Sequence, residues 1–181
     1  SDFKQPGEVV YLLGPTFDEL GGSELADQLR IPFGSVPQVD ALAAKERYLK
    51  LHQAIQAGLV TACHDLSDGG LAAAFAEMAL GGRLGGTLDL SKVSRPGLDS
   101  DLSQNAKNLI LMYSESASRL LATVKADQAA AFESIMSGTC FSRIGQTTDD
   151  GEIVVSGLAG EQVLTSSVES LAKSWQDTMR W

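Results

Sequence analysis

Cysteine is scarce. The 181 residues hold only Cys63 and Cys140, with no CxxC spacing and no histidine cluster beside either. That pattern excludes a disulfide scaffold and offers neither a zinc site nor a redox pair, so both thiols are expected to act as small buried hydrophobes. Positive charge is also short: 14 Lys and Arg against 23 Asp and Glu leave a formal charge of -9. Such a balance repels a nucleic-acid backbone and the cytoplasmic membrane face alike. No apolar run approaches the ~18 to 20 residues that cross a bilayer. The opening SDFKQPGE also lacks the basic start and apolar core of a signal peptide. The expectation is a cytoplasmic protein with neither nucleic acid nor membrane as partner. What is present suffices for a core. With 44% hydrophobic residues and a mean hydropathy near zero, a chain of this size can bury roughly 70% of its unfolded surface. At ~150 residues per domain, residues 1–181 are expected to form one domain.

Helical and extended signals alternate with no low-complexity linker and no fixed repeat, which argues for one mixed α and β unit. Strands are expected at Val9 to Leu13, Leu59 to Cys63 and Leu120 to Val124, with an extended segment over Gly86 to Leu90. Ser23 can cap a short helix reaching Arg30, and the proline-bearing stretch Ile31 to Pro37 must be a connection. Ala41, Ala44, Tyr48, Leu51 and Ile55 recur at steps of three and four, the face of a longer helix that Gly58 stops. Leu71, Phe75 and Met78 mark another helix, ended by Gly81-Gly82. Asn105 to Tyr113 reads as helix or strand, with helix preferred, and Ala129, Phe132, Ile135 and Met136 give a helix closed by Gly138. The turn Asp149-Asp150-Gly151 predicts a hairpin between Phe141 to Gln146 and Glu152 to Ser156. Ser166 and Glu169 have capping-box spacing ahead of Val168, Leu171, Trp175 and Met179, a stripe that assigns Trp175 to the core.

Three polar clusters could carry chemistry. The densest is His64-Asp65-Leu66-Ser67-Asp68-Gly69-Gly70, where a predicted strand passes into a predicted helix. A carboxylate there can hold a divalent cation, a hydroxyl can touch phosphate or metal, and glycines let backbone N–H groups approach an anion. With no Lys or Arg inside it, phosphate can bind only if Mg²⁺ or distant basic groups offset Asp65 and Asp68. The same residues also read as a plain turn: Asp68 capping the helix, Gly69-Gly70 shaping the bend, His64 bonding a backbone carbonyl. The other clusters are ELGGSEL at Glu19 to Leu25 and SESASR at Ser114 to Arg119. The latter could grip a polyol phosphate, or each could be a capped turn with a surface ion pair. No serine or cysteine has the glycine-flanked elbow or the paired histidine of a nucleophile.

In this order and spacing, ELGGSEL, PQVD at Pro37 to Asp40, HDLSDGGLAAAFAEMA at His64 to Ala79, YSESASR at Tyr113 to Arg119 and the closing LAKSWQDTMRW resemble the phosphoribosylformylglycinamidine synthase family, the PurL-type FGAM synthetases of purine biosynthesis. The likeness runs over nearly the whole chain, to that family's last AIR-synthase-type C-terminal domain. It implies an α+β fold of the PurM C-terminal type, partly ferredoxin-like, with a mixed sheet flanked by helices. It also implies a fragment of a larger ligase that turns formylglycinamide ribonucleotide, ATP and glutamine-derived ammonia into FGAM, ADP and phosphate.

By position, the resemblance makes Asp65 a Mg²⁺ ligand and Ser67 a nucleotide contact, with Gly69 and Gly70 shaping the ATP/ADP site. Glu115, Ser116 and Arg119 match an element that contacts the ribonucleotide in the family's first half. Expected partners are the remaining synthetase domains, a glutaminase subunit or domain, and formylglycinamide ribonucleotide. The catalytic residues lie outside this sequence, so the isolated domain is expected to be inactive, and the nucleotide site could be the working one or an auxiliary one. Two other readings stay open: a domain of another ATP-using member of the superfamily, such as thiamine-monophosphate kinase, and a silent scaffold.

Overall fold

The segment VVYLL, strand β1 (Val9–Leu13), is buried at all five positions, which only a central strand covered on both faces can be. The computed structural model describes residues 1–31, 34–98 and 100–177. It places β1 between β4 (Leu120–Val124) and β5 (Phe141–Thr148), antiparallel to both. β2 (Val60–Asp65) extends the sheet beyond β4, and β3 (Gly85–Asp89), β6 (Glu152–Ser156) and β7 (Gln162–Ser167) extend it beyond β5. The order is β2-β4-β1-β5-β3-β6-β7. Every pairing is antiparallel except β3 with β6. This is the expected α+β architecture, a mixed sheet flanked by helices.

The helices are α1 (Glu24–Gln28), α2 (Ala41–Gln56), α3 (Gly70–Gly82), α4 (Gln104–Tyr113), α5 (Ala129–Met136) and α6 (Val168–Asp177). Alternation along β1 divides two cores. Val10 and Leu12 join Leu71, Phe75 and Met78 of α3, Leu111 of α4 and Val168 of α6. Val9, Tyr11 and Leu13 join Leu51 of α2 and Phe132 and Met136 of α5. Tyr11 packs its ring 4.8 Å from that of Phe132 and donates its hydroxyl to Glu133 Oε1 at 2.6 Å.

Several expectations are corrected. β5 and β6 do not form a hairpin: β3 lies between them, paired antiparallel to β5 and parallel to β6. The Asp-Gly turn reverses the chain, but a third strand fills the gap. β7 has no counterpart among the expected strands. It continues through Ser166 and Ser167, so Ser167 rather than Ser166 caps α6, its Oγ accepting the Ser170 N–H at 3.1 Å. Trp175 is 61% exposed and no core residue; Met179 lies outside the described residues, as do Pro32 and Phe33 of the expected connection. On α2 the buried stripe is Ala44, Arg47, Leu51 and Ala54, leaving Tyr48 and Ile55 exposed. The helix is rotated because Arg47 turns inward and donates Nη1 to Ser118 O at 2.7 Å. Gly81 and Gly82 lie inside α3, and the left-handed stop is Arg83. A Cβ on Gly82 would stand 2.3 Å from Phe3 O, so these glycines let the N-terminal segment close on the helix. Both cysteines are only partly buried.

Candidate functional site

The first cluster spans the end of β2 and the head of α3. β2 runs two residues further than expected, so His64 and Asp65 pair with Leu121 and Leu120 of β4. Leu66 then anchors the turn: its side chain is buried and its N–H donates to Arg119 O at 3.1 Å. Gly69 and Gly70 follow with φ of +77° and +61°, left-handed conformations that favour glycine. At Gly70 there is no room for anything else, since a Cβ would meet Ser114 O at 2.4 Å. The helix head therefore presses directly on the 114–119 segment.

Asp68 does not cap α3. The N-cap is Gly69, with no side-chain bond from that position. Its own N–H instead donates to Glu115 Oε1 at 2.9 Å, and the same oxygen takes the Glu24 N–H of α1 at 3.0 Å. The Gly70 N–H goes to Ser67 O at 3.0 Å. The amides expected to meet an external anion at the two glycines are thus satisfied internally, and a carboxylate already occupies the electropositive ends of two helices.

Asp65 and Ser67 face the other way. Both are exposed, the Asp65 side chain at 69%, and Ser67 Oγ donates to Asp65 Oδ2 at 2.8 Å. That hydrogen bond, with one from the backbone N–H of Asp65, holds its carboxyl below the usual carboxylate range. Asp65 is therefore ionised at neutral pH and offers hard oxygen to solvent. Among the described residues no group of three or more His, Cys, Asp or Glu side chains converges as a metal cage. Mg²⁺ commonly takes one or two carboxylates and completes its octahedron with phosphate oxygens and water. One exposed carboxylate beside a hydroxyl fits that habit as one wall of a site.

The third cluster turns inward. Ser116 is buried, its Oγ accepting the Phe17 N–H at 3.0 Å and bonding Ser114 Oγ at 3.1 Å. Arg119, 1% exposed, donates Nε to Ser116 O at 3.0 Å, Nη1 to Thr16 Oγ1 at 2.9 Å and Nη2 to Ser114 O. Burial pushes its guanidinium down to about 10, with Glu19 and Glu115 opposing that shift. It stays charged at neutral pH and staples the segment after β1 to the one before β4. In place of a surface ion pair there is a buried brace, and of the three expected ribonucleotide contacts only Glu115 is partly exposed.

The ELGGSEL segment packs beside that brace. Ser23 caps α1 as expected, its Oγ accepting the Ala26 N–H at 3.2 Å, and buried Glu19 accepts the Gln38 N–H at 2.8 Å. A cavity of about 970 Å³ opens here, bordered by Phe17, Glu19, Ser35, Gln38, Asp40 and Pro96. Sequence reasoning missed the brace and also the bond joining His64 to Glu77 of α3 at 2.7 Å, which replaces the expected bond to a backbone carbonyl. Full burial of an arginine has no signature in composition. Glu77, in contrast, lies on the helix that the HDLSDGG turn opens.

Residues 5–157 match the family described as AIR synthase related protein, C-terminal domain. The fold is similar to Thermotoga maritima PurL complexed with FGAR, at a TM-score of 0.78 and 22% identity, over 95% of this chain and 29% of that one. It is also similar to Thermotoga maritima PurL complexed with ATP, at 0.74 and 22%, over 95% and 27%. Escherichia coli HypE, a hydrogenase maturation protein, matches at 0.61 and 16%, over 91% and 50%. The chain thus spans less than a third of the PurL chains it resembles. With 153 consecutive residues matched, the chain belongs to the family of AIR synthase related C-terminal domains.

Proposed function

We propose that this chain is the C-terminal AIR-synthase-type domain of a phosphoribosylformylglycinamidine synthase, and that the β2–α3 turn forms one wall of a Mg²⁺–nucleotide site. The observation that carries the reading is the Asp65–Ser67 pair, an ionised carboxylate and a hydroxyl facing solvent where a strand passes into a helix. The likeness to PurL solved with ATP and with FGAR supports the same direction. In this reading Asp65 is the ligand through which an acidic surface meets a polyphosphate, and the bound cation supplies charge neutralisation. Ser67 orients that carboxylate and contacts the nucleotide, while Gly69 and Gly70 let the turn close.

The parent reaction converts formylglycinamide ribonucleotide, ATP and glutamine to FGAM, ADP, phosphate and glutamate, with ammonia from a glutaminase subunit or domain. Glu115 organises the site through two helix ends. Ser116 and Arg119 hold its loop, and their burial favours a supporting role over direct ribonucleotide contact. That burial also favours a second reading, in which the domain is a silent scaffold for the rest of the enzyme. Activity assays separate the two. The complete protein should form FGAM with FGAR, ATP and ammonia, the 181 residues alone should not, and Asp65→Ala should lower turnover or nucleotide content in the complete protein. Unchanged turnover and nucleotide content in that variant would leave the scaffold reading standing.

A further inference from the structure

Glu19 is only 6% exposed, yet half of its carboxylate is unpartnered: Oε1 accepts the Gln38 N–H at 2.8 Å, while Oε2 meets no donor among the described residues. A buried acceptor left in that state costs stability until a donor reaches it. Arg119 lies near enough for the two charges to attract, but its hydrogen bonds go to Ser116 O, Thr16 Oγ1 and Ser114 O. Glu19 borders the cavity of about 970 Å³ together with Asp18 and Asp40, and no Lys, Arg or His borders it among the described residues. Neither aspartate forms an ion pair among those residues. The walls are fixed before anything binds. The Phe17 N–H is held by Ser116 Oγ, Glu19 O takes the Ser114 hydroxyl at 3.3 Å, and the Gly21 N–H donates to Ser35 O at 2.8 Å.

We propose that this cavity receives a lysine side chain from another part of the complete protein. The carboxylates do not converge as a metal cage, so a bare ion is a poor match. A guanidinium fork prefers both oxygens of one carboxylate, and the Gln38 N–H already holds one of the two on Glu19. An ammonium brings three donors on a rotatable tip, able to serve Glu19 Oε2 and a rim aspartate together. Its methylene stem suits the apolar part of the wall, where Phe17 and Val36 are exposed. Val39, between two lining residues, is exposed as well, and apolar surface around a charged recess suits a protein partner better than a free amine. The chain spans less than a third of the PurL chains it resembles, which leaves ample polypeptide to supply the lysine. The inference rests on the reading of this chain as one domain of a longer protein.

Carbodiimide coupling of the complete protein joins carboxylates to amines that touch them, and peptide mass mapping locates each join. A peptide carrying Asp18, Glu19 or Asp40 should be linked to a lysine outside residues 1–181. In uncoupled protein that lysine should be shielded from reductive methylation. Glu19→Gln keeps an acceptor for the Gln38 N–H but removes the charge, so it should speed methylation of that lysine by at least about 3-fold while lysines elsewhere keep their rates. If Glu19→Gln does not fold, Asp18→Asn, at an exposed position, decides in its place. The inference is overturned if no lysine outside these residues is joined, if the joined lysine speeds up by less than about 3-fold, or if all lysines speed up together. FGAM formation keeps the two readings apart. A complete protein that makes FGAM but lacks the link overturns the inference alone, whereas one that shows the link and makes no FGAM overturns the functional reading alone.

Discussion

Glu115 Oε1 accepts the N–H of Gly69 at 2.9 Å, so the head of α3 is capped by a residue 46 positions away rather than by its own turn. The same oxygen holds the first amide of α1. Replacing Glu115 with alanine frees both donors and should lower stability by about 1 to 2 kcal/mol, with Glu115→Gln recovering part of it. Urea unfolding of the three proteins at neutral pH measures the difference.

The brace at Arg119 should cost more to remove. Arg119→Ala leaves Ser114 O, Ser116 O and Thr16 Oγ1 without their donor, opens a void, and should destabilise by roughly 3 to 5 kcal/mol. Arg119→Lys keeps the charge but cannot span three acceptors and should fall between. Denaturant midpoints rank the set.

At Gly70, close approach and backbone conformation can be separated. Gly70→Ala meets Ser114 O as well as an unfavourable φ of +61°, while Gly22, at +78°, faces open space. Gly22→Ala should cost about 1 kcal/mol and Gly70→Ala at least ~2 kcal/mol. Equal costs would contradict the contact between α3 and the 114–119 segment.

Much of this fold was legible in the chain because periodicity reports burial directly. β1, α2, α3 and α5 follow from apolar spacing, and Ser23 and Gly58 act at the helix ends assigned to them. Pairing order is a different matter. Nothing local to Asp149-Asp150-Gly151 states that β3 will lie between β5 and β6, since that is settled by residues more than 50 positions upstream. The amphipathic pattern also failed where a charge turned inward, at Arg47, because a long side chain can bury its stem and reach a distant carbonyl with its head, here Nη1 to Ser118 O. At the site, HDLSDGG announced a polar turn, while the partners of Gly69 and His64 came from Glu115 and Glu77, contacts that only the tertiary fold creates.

Alkaline pH should weaken the fold through Tyr11. Burial first, then its bond to Glu133, raises the phenol above its ordinary value of 10.0. The unfolded chain loses that proton sooner, so the contribution of this group is full below pH 10 and declines as pH rises beyond it. Cys63, lifted by burial from 9.0 to about 11, acts with the same sign between those values. Stability measured from pH 8 to pH 11 should fall, and should fall less steeply in Tyr11→Phe.

The central claim is that the carboxylate of Asp65 binds a nucleotide through a cation. Calorimetric titration of nucleotide-stripped complete protein with ADP, at fixed Mg²⁺, tests it most directly. The parent should bind tightly, Asp65→Ala and Asp65→Asn should each lose about 10-fold or more, and the three should not differ once Mg²⁺ is chelated. Equal affinities for parent and variants in the presence of Mg²⁺ would contradict it.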